Sequence, residues 1–137
     1  MTNSQVSREV EFFSLPENIN LIEIFIEELK GEFSLSIELE ANMLVALSEA
    51  VNNAIFHGNR ADPGKRVHFH MEKNNNEFLF VIEDEGSGFN PADIRDPTAP
   101  ENLDKPSGRG IFLMRNLADR VEFDKGGKKV LITFIQH

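Results

Sequence analysis

Apolar residues recur along the chain with two different periods, and these periods predict where helices and strands lie. Apolar positions three or four residues apart predict an amphipathic helix over residues 18–30, with Gly31 as its C-cap. The same spacing predicts a longer helix from Ser36 to about Gly58, and a short one over 111–117. Five short segments are apolar throughout or alternate with a period of two, which is typical of strands: 8–15, 67–72, 78–83, 121–124 and 129–135.

The order of these elements predicts the fold class. A strand and two helices are followed by a hairpin, a long loop, a third helix and a second hairpin. Helices on one face of a mixed, mostly antiparallel sheet would form an α+β two-layer sandwich. Residues 1–137 contain no sequence repeat or linker, so we expect a single domain. The loop over 86–108 is rich in Gly, Pro, Asp and Asn, and long loops in compact domains are usually functional.

Composition and charge narrow the range of partners. The 137 residues carry a formal net charge of -9, so we expect no general binding of nucleic acids or anionic membranes. The absence of cysteine excludes disulfides and thiolate chemistry. The N-terminus has no signal-peptide pattern and no apolar run is long enough to span a bilayer, so we expect a cytoplasmic protein.

The second predicted helix contains polar residues among apolar ones. In the segment SEAVNNAIFHG (48–58), Glu49 and Asn53 are four residues apart and therefore share one helix face. Oxygen ligands with this spacing suit Mg²⁺, and a carboxylate beside such a site can take a proton from a nucleophile. The alternative is a helix edge that faces solvent, because the pattern E-x-x-x-N is common in amphipathic helices.

A second polar motif, DEGSGFNP (84–91), directly follows an apolar strand. Asp84 at the strand end can accept a hydrogen bond from an exocyclic amine in a pocket. Gly86 and Gly88 permit close approach of the backbone to a ligand. The alternative is an ordinary turn at the end of a strand, where these residue types are frequent.

A third motif, SGRGIF (107–112), stands where the long loop meets the third helix. Backbone N–H groups at a helix N-terminus bind phosphate, and the two glycines let the phosphates approach closely. Arg109 and Lys105 would add positive charge. The motif is neither a P-loop nor a Rossmann fingerprint, and its alternative is a glycine hinge with an N-cap.

Taken in this order, the three motifs resemble the N-box, G1 box and G2 box of the GHKL ATPase superfamily, which has the Bergerat fold. SEAVNNAIFHGN, DEGSGFNP and SGRGIFLMRNLADRV look like the corresponding motifs of bacterial anti-sigma-factor serine/threonine kinases. The resemblance extends over about residues 10–134. It implies ATP and Mg²⁺ as the cofactors.

The resemblance also implies a role for each matching residue. Glu49 would be the general base, Asn53 a ligand of Mg²⁺ and Asp84 the contact of the adenine amino group. Residues 90–107 would form the ATP lid. The implied nucleotide site comprises Asn53, Asp84, Gly86, Gly88, Phe89, Lys105, Ser107, Gly108, Arg109, Gly110, Ile111 and Phe112.

The function implied by the resemblance is that of an ATP-dependent serine/threonine protein kinase in a partner-switching module. Such a protein binds a sigma factor and phosphorylates an anti-anti-sigma protein of the STAS type, and we expect a homodimer. One alternative is a nucleotide-dependent module that binds its partner without kinase activity. The catalytic domain of a histidine kinase is disfavoured, because that class commonly has Asn where this chain has Glu49 and needs a phosphoacceptor domain. A gyrase-like ATPase would need a transducer domain.

Overall fold

The helices pack against one face of a five-stranded sheet in the computed structural model, which describes residues 5–86 and 108–137. The α-helices within these residues are α1 (Asn20–Phe33), α2 (Ile37–Asn53) and α3 (Gly108–Leu117). A π-helical turn, Ala54–Gly58, continues α2 without a break. The strands are β1 (Val6–Phe13), β2 (Arg66–Asn74), β3 (Glu77–Asp84), β4 (Arg120–Asp124) and β5 (Lys129–Ile135).

The strands form one sheet with the order β1-β2-β3-β5-β4, and every pairing between described strands is antiparallel. Both predicted hairpins are present. Asn75, with a φ of 59°, turns the chain between β2 and β3, and Gly126, with a φ of 65°, turns it between β4 and β5. Asn and Gly adopt this left-handed conformation more readily than other residues. The predicted α+β fold with helices on one face is confirmed.

Phenylalanine rings form the centre of the core between the sheet and the helices. Phe69, Phe78, Phe80 and Phe134 are fully buried on the inner face of β2, β3 and β5. Phe25 of α1 packs edge-on against Phe69, with ring centroids 5.0 Å apart. Aromatic side chains bury a large apolar area each, so this cluster accounts for much of the hydrophobic stabilisation of the fold.

The outer face of the sheet carries charged side chains, because successive residues of a strand point to opposite faces. His68 Nδ1 lies 2.9 Å from Glu11 Oε2, and Lys125 Nζ lies 2.9 Å from Glu83 Oε2. Within residues 5–86 and 108–137 no three His, Asp or Glu side chains are grouped so that they could hold a metal ion. No helix in these residues is long and apolar enough to cross a membrane.

The first helix ends later than its pattern predicts. Gly31 lies inside α1 rather than capping it, and Ser34 adopts the left-handed C-cap conformation with a φ of 53°. The additional turn places Phe33 edge-on against Phe78, with 5.8 Å between ring centroids. The gain from this apolar contact outweighs the preference of glycine for a helix end, because tertiary packing provides most of the stability of a helix.

Substitutions at the two serines between α1 and α2 should have opposite effects. Ser36 Oγ accepts a hydrogen bond from Leu39 N at 3.0 Å and caps α2, so Ser36→Ala should lower the free energy of unfolding by about 1 kcal/mol. Ser34→Gly should raise it by roughly 0.5 kcal/mol, because glycine adopts a positive φ without strain. Denaturant unfolding measures both changes, and a loss of stability in Ser34→Gly would contradict the C-cap assignment.

Candidate functional site

Asn53 is a buried polar residue without a partner in the described part of the chain. It is the last residue of α2 and is 6% exposed. Neither its Oδ1 atom nor its Nδ2 atom has a hydrogen-bond partner among the described residues. An unpaired buried amide costs free energy, on the order of 1–3 kcal/mol, and its persistence points to a water, ion or ligand at this position. A carboxamide oxygen is a suitable ligand for Mg²⁺.

Glu49 lies one helical turn before Asn53, and the two residues share one face of α2. Its side chain is half-buried, whereas that of Asn53 is buried. Four residues of an α-helix span about 6 Å along the helix axis. A carboxylate at this separation can take a proton from a group bound near Asn53 without occupying the same ligand position.

The second buried polar group is the carboxylate of Asp84, the last residue of β3, which is 6% exposed. Asp84 Oδ1 accepts a hydrogen bond from Gly86 N at 2.8 Å. Burial raises the pKa of the Asp84 carboxyl above its usual value, and the hydrogen bond from Gly86 partly opposes this rise. A desolvated acceptor of this kind is suited to an N–H donor supplied by a ligand.

Two glycines allow the end of the π-helical turn to approach the end of β3. A Cβ atom added at Gly58 would overlap the Asp84 carboxylate, and one added at Gly86 would overlap the Gly58 carbonyl. Only glycine therefore fits at position 86, and a side chain at position 58 would displace the Asp84 carboxylate. The π-helical turn Ala54–Gly58 widens the helix at this point, and such turns occur frequently at functional sites.

Asn53 and Asp84 line the same small cavity, so the first two predicted motifs come together. The cavity is also bordered by Ile82 of β3, Met114 of α3 and Val130 of β5. Its volume of about 20 Å³ has room for roughly one water molecule. A purine ring is larger than this, so binding of a nucleotide base requires the walls of the cavity to separate.

The third predicted motif begins α3, which packs against α2. Gly108, Arg109 and Gly110 lie in its first turn, where the helix dipole favours anions. The Ile111 side chain is 2% exposed and belongs to the core, whereas Phe112 is 64% exposed. The backbone of this turn, rather than the Ile111 side chain, is thus suited to contact a ligand. Outside the described residues lie Gly88, Phe89, Lys105, Ser107 and the expected lid over 90–107.

The sequence interpretation missed two residues that shape this site. Gly58 makes the close contact with Asp84, and Asn59 is completely buried. Asn59 is hydrogen-bonded to Ser14 after β1, Arg66 at the start of β2 and Glu85 after β3. The sequence HGN (57–59) at the end of the predicted helix was the only sequence feature that could have indicated these two residues. It did not predict their contacts, because Gly-Asn pairs are common in turns after a helix.

The chain is similar in sequence to proteins of known family. A family model described as a histidine kinase-like ATPase domain matches residues 12–134. The anti-sigma F factor of Clostridium perfringens (strain 13 / Type A) is 30% identical over 129 residues, which cover 89% of this chain and 91% of that protein. The anti-sigma F factor of Shouchella clausii (strain KSM-K16) is 30% identical over 115 residues, which cover 81% and 77%.

A solved structure has the same fold. It is described as the crystal structure of the RsbU and RsbW domains of Rv1364c from Mycobacterium tuberculosis. The match covers 96% of this chain with a TM-score of 0.62 and 14% sequence identity. This chain spans 32% of that longer chain, so the likeness concerns one part of it.

The substitution Asp84→Asn tests whether the folded protein holds this carboxylate in an unfavourable environment. Folding raises the pKa of Asp84, so the protonated carboxyl contributes to the free energy of unfolding. This contribution is fully present below the unfolded-state pKa and is lost as the pH rises through the folded-state pKa. The amide avoids this loss. At neutral pH without nucleotide, the variant should therefore have a higher free energy of unfolding, by about 1 kcal/mol.

Glu83→Gln is the matched control, since Glu83 is the adjacent acidic residue and its pKa changes in the opposite direction. The hydrogen bond from Lys125 lowers the pKa of Glu83, so loss of this charge should give no stabilisation at neutral pH. Denaturant titrations in acid and at neutral pH compare both variants with the parent chain. An Asp84→Asn variant less stable than the parent at neutral pH would show that the Asp84 carboxylate is not held in an unfavourable environment.

Proposed function

This chain belongs to the histidine kinase-like (GHKL) ATPase domain family, and we propose that it is an ATP-dependent serine/threonine protein kinase that acts as an anti-sigma factor. The two buried polar groups where α2 meets β3 support this function best. The Asn53 amide has no partner among the described residues, and the Asp84 carboxylate is desolvated. A core with a structural role alone would pair such groups or have apolar residues in their place.

The polar groups of the site match different parts of Mg·ATP. Asp84 would accept a hydrogen bond from the exocyclic amine of adenine. Asn53 Oδ1 would be a ligand of Mg²⁺, which neutralises charge on phosphate oxygens when bound. The N–H groups in the first turn of α3 would donate to the phosphates. Base, metal and phosphate chain would thus each contact a separate element of the fold.

Glu49 would be the proton acceptor in the transfer step. A bond forms between the hydroxyl oxygen of the substrate serine or threonine and the γ-phosphorus of ATP, while the bond from that phosphorus to the β,γ-bridging oxygen breaks and ADP leaves with that oxygen. The hydroxyl proton passes to the Glu49 carboxylate. Because Glu49 is half-buried, its carboxylate is accessible to a segment of another protein while the helix keeps its position fixed.

The proposed partners are a sigma factor and an anti-anti-sigma protein of the STAS type. Two relatives are named anti-sigma F factors, which supports the first of these. Phosphorylation adds about -1.5 to -2 charges to a serine at neutral pH. Because this chain has a formal net charge of -9, added phosphate would weaken its contact with the product and favour exchange of partners. We further propose that the protein is a cytoplasmic homodimer.

A second candidate function uses the same nucleotide site without transfer of phosphate. In that case the chain would bind its partner in a nucleotide-dependent manner, as an anti-sigma factor can do without being an enzyme. The half-buried Glu49 beside Asn53 favours the kinase, because a binding module has no use for a proton acceptor at this position.

Asn53→Ala should weaken Mg·ATP binding by roughly tenfold or more without destabilising the fold, because it removes a metal ligand but no hydrogen bond within the described residues. Asn52→Ala is the matched control, since Asn52 is the neighbouring residue and is only half-buried. Calorimetric titration measures the affinity and thermal unfolding measures the stability. Unchanged Mg·ATP affinity in Asn53→Ala would exclude Asn53 as a metal ligand.

Glu49→Gln should retain Mg·ATP affinity within about threefold and lose phosphate transfer by roughly 10²–10⁴-fold, because the amide cannot accept the proton. The assay follows labelled phosphate from ATP to STAS proteins encoded in the same genome, with Glu23→Gln on the exposed face of α1 as the control. Transfer at the parental rate would rule out Glu49 as the base. A parent chain that binds Mg·ATP but transfers no phosphate would favour the binding module.

A further inference from the structure

Asn59 is a completely buried polar side chain that contacts three separate segments of the chain. Its Nδ2 atom donates to Ser14 Oγ at 2.7 Å, after β1, and to Arg66 O at 2.9 Å, at the start of β2. Its Oδ1 atom accepts from Glu85 N at 2.7 Å, directly after β3. Both donor hydrogens and the acceptor are therefore satisfied within the fold.

The hydrogen bond from Glu85 N to Asn59 lies just beyond the end of the sheet. The pairing of β2 with β3 extends to Val67 and Asp84, so Glu85 and Gly86 lie beyond the last paired residues. Beyond this point Asn59 Oδ1 holds the backbone N–H of Glu85, and Asp84 Oδ1 holds that of Gly86. The backbone after β3 is therefore held by side-chain acceptors instead of by the hydrogen bonds between strands.

The backbone next to Asn59 contacts the same segment. The Gly58 carbonyl lies so close to Gly86 that no side chain fits there, and Gly58 itself lies against the Asp84 carboxylate. Asn59 N also donates to Ala54 O at 2.8 Å, which closes the π-helical turn. A shift of Asn59 would thus move the π-helical turn after α2 relative to the Asp84–Gly86 segment.

On the basis of the nucleotide site proposed above, we propose that Asn59 is a positioning residue that fixes the Asp84 carboxylate for contact with the exocyclic amine of adenine. Asn59 does not itself touch the base. It holds the Glu85 amide and, through Gly58 and Gly86, limits the positions open to Asp84. Because polar recognition depends on the placement of the acceptor within about 0.5 Å, loss of this support should affect the amine contact more than the rest of the nucleotide.

Asn59→Ala tests this role through two nucleotides that differ only in the amine. Binding of ATP should weaken by roughly tenfold, while binding of purine riboside triphosphate, which lacks the exocyclic amine, should change by less than about threefold. Hydrogen exchange provides a second measurement on the nucleotide-free protein. The Gly86 amide should exchange at least about tenfold faster in the variant, because its acceptor Asp84 is no longer held in place.

Two further variants make the result specific. Asn18→Ala is the matched control, because Asn18 Nδ2 donates to Phe13 O at 2.8 Å near the end of β1 and not to the segment after β3. It should leave both nucleotide affinities and the Gly86 exchange rate unchanged. If Asn59→Ala does not fold, Ser14→Ala removes one partner of Asn59 and should produce smaller changes of the same kind.

Equal weakening of the two nucleotides, or an unchanged Gly86 exchange rate, would show that Asn59 only stabilises the fold and would overturn the inference. A parent chain that binds neither nucleotide would refute the proposed function. The exchange measurement would then still decide whether Asn59 fixes the Asp84–Gly86 segment, since it requires no ligand.

Discussion

The candidate site depends on the contact between the π-helical turn that continues α2 and the end of β3. This contact exists because Gly58 and Gly86 have no side chains, and because the π-helical turn Ala54–Gly58 leads the chain directly to the strand end. The contact brings the buried amide of Asn53 and the buried carboxylate of Asp84 into the wall of one cavity. A side chain at Gly86 would separate the two elements, and one at Gly58 would displace the Asp84 carboxylate, so either would disturb the nucleotide site.

This arrangement has an energetic cost that the rest of the fold must offset. An unpaired amide and a desolvated carboxylate both disfavour the folded state when no ligand is bound. The phenylalanine cluster between β2, β3, β5 and α1 is the opposing contribution, because it buries large apolar surfaces at the centre of the same sheet. Function and stability thus place different demands on neighbouring residues, as is common where a binding site borders a core.

The elements that depend on local pattern could be predicted from the sequence, and those that depend on distant contacts could not. Helical spacing predicted α2 together with the π-helical turn that continues it to Gly58, and the apolar or alternating segments predicted the strands of both hairpins. The role of Asn59 was not predictable, because its partners lie as far as 45 residues away and share no local signal with it. Gly31 was misassigned for a similar reason, since the contact between Phe33 and Phe78 that extends α1 is not visible in either segment alone.

The most direct measurement of the central claim is a calorimetric titration of the full chain with ATP and with GTP, each with and without Mg²⁺. If Asp84 and Asn53 form one nucleotide site, ATP should bind more tightly than GTP by roughly tenfold or more, because GTP has a carbonyl where adenine has its amine. Removal of Mg²⁺ should weaken the binding of ATP. Equal affinities for ATP and GTP that do not change with Mg²⁺ would contradict the account, as would the absence of binding by both.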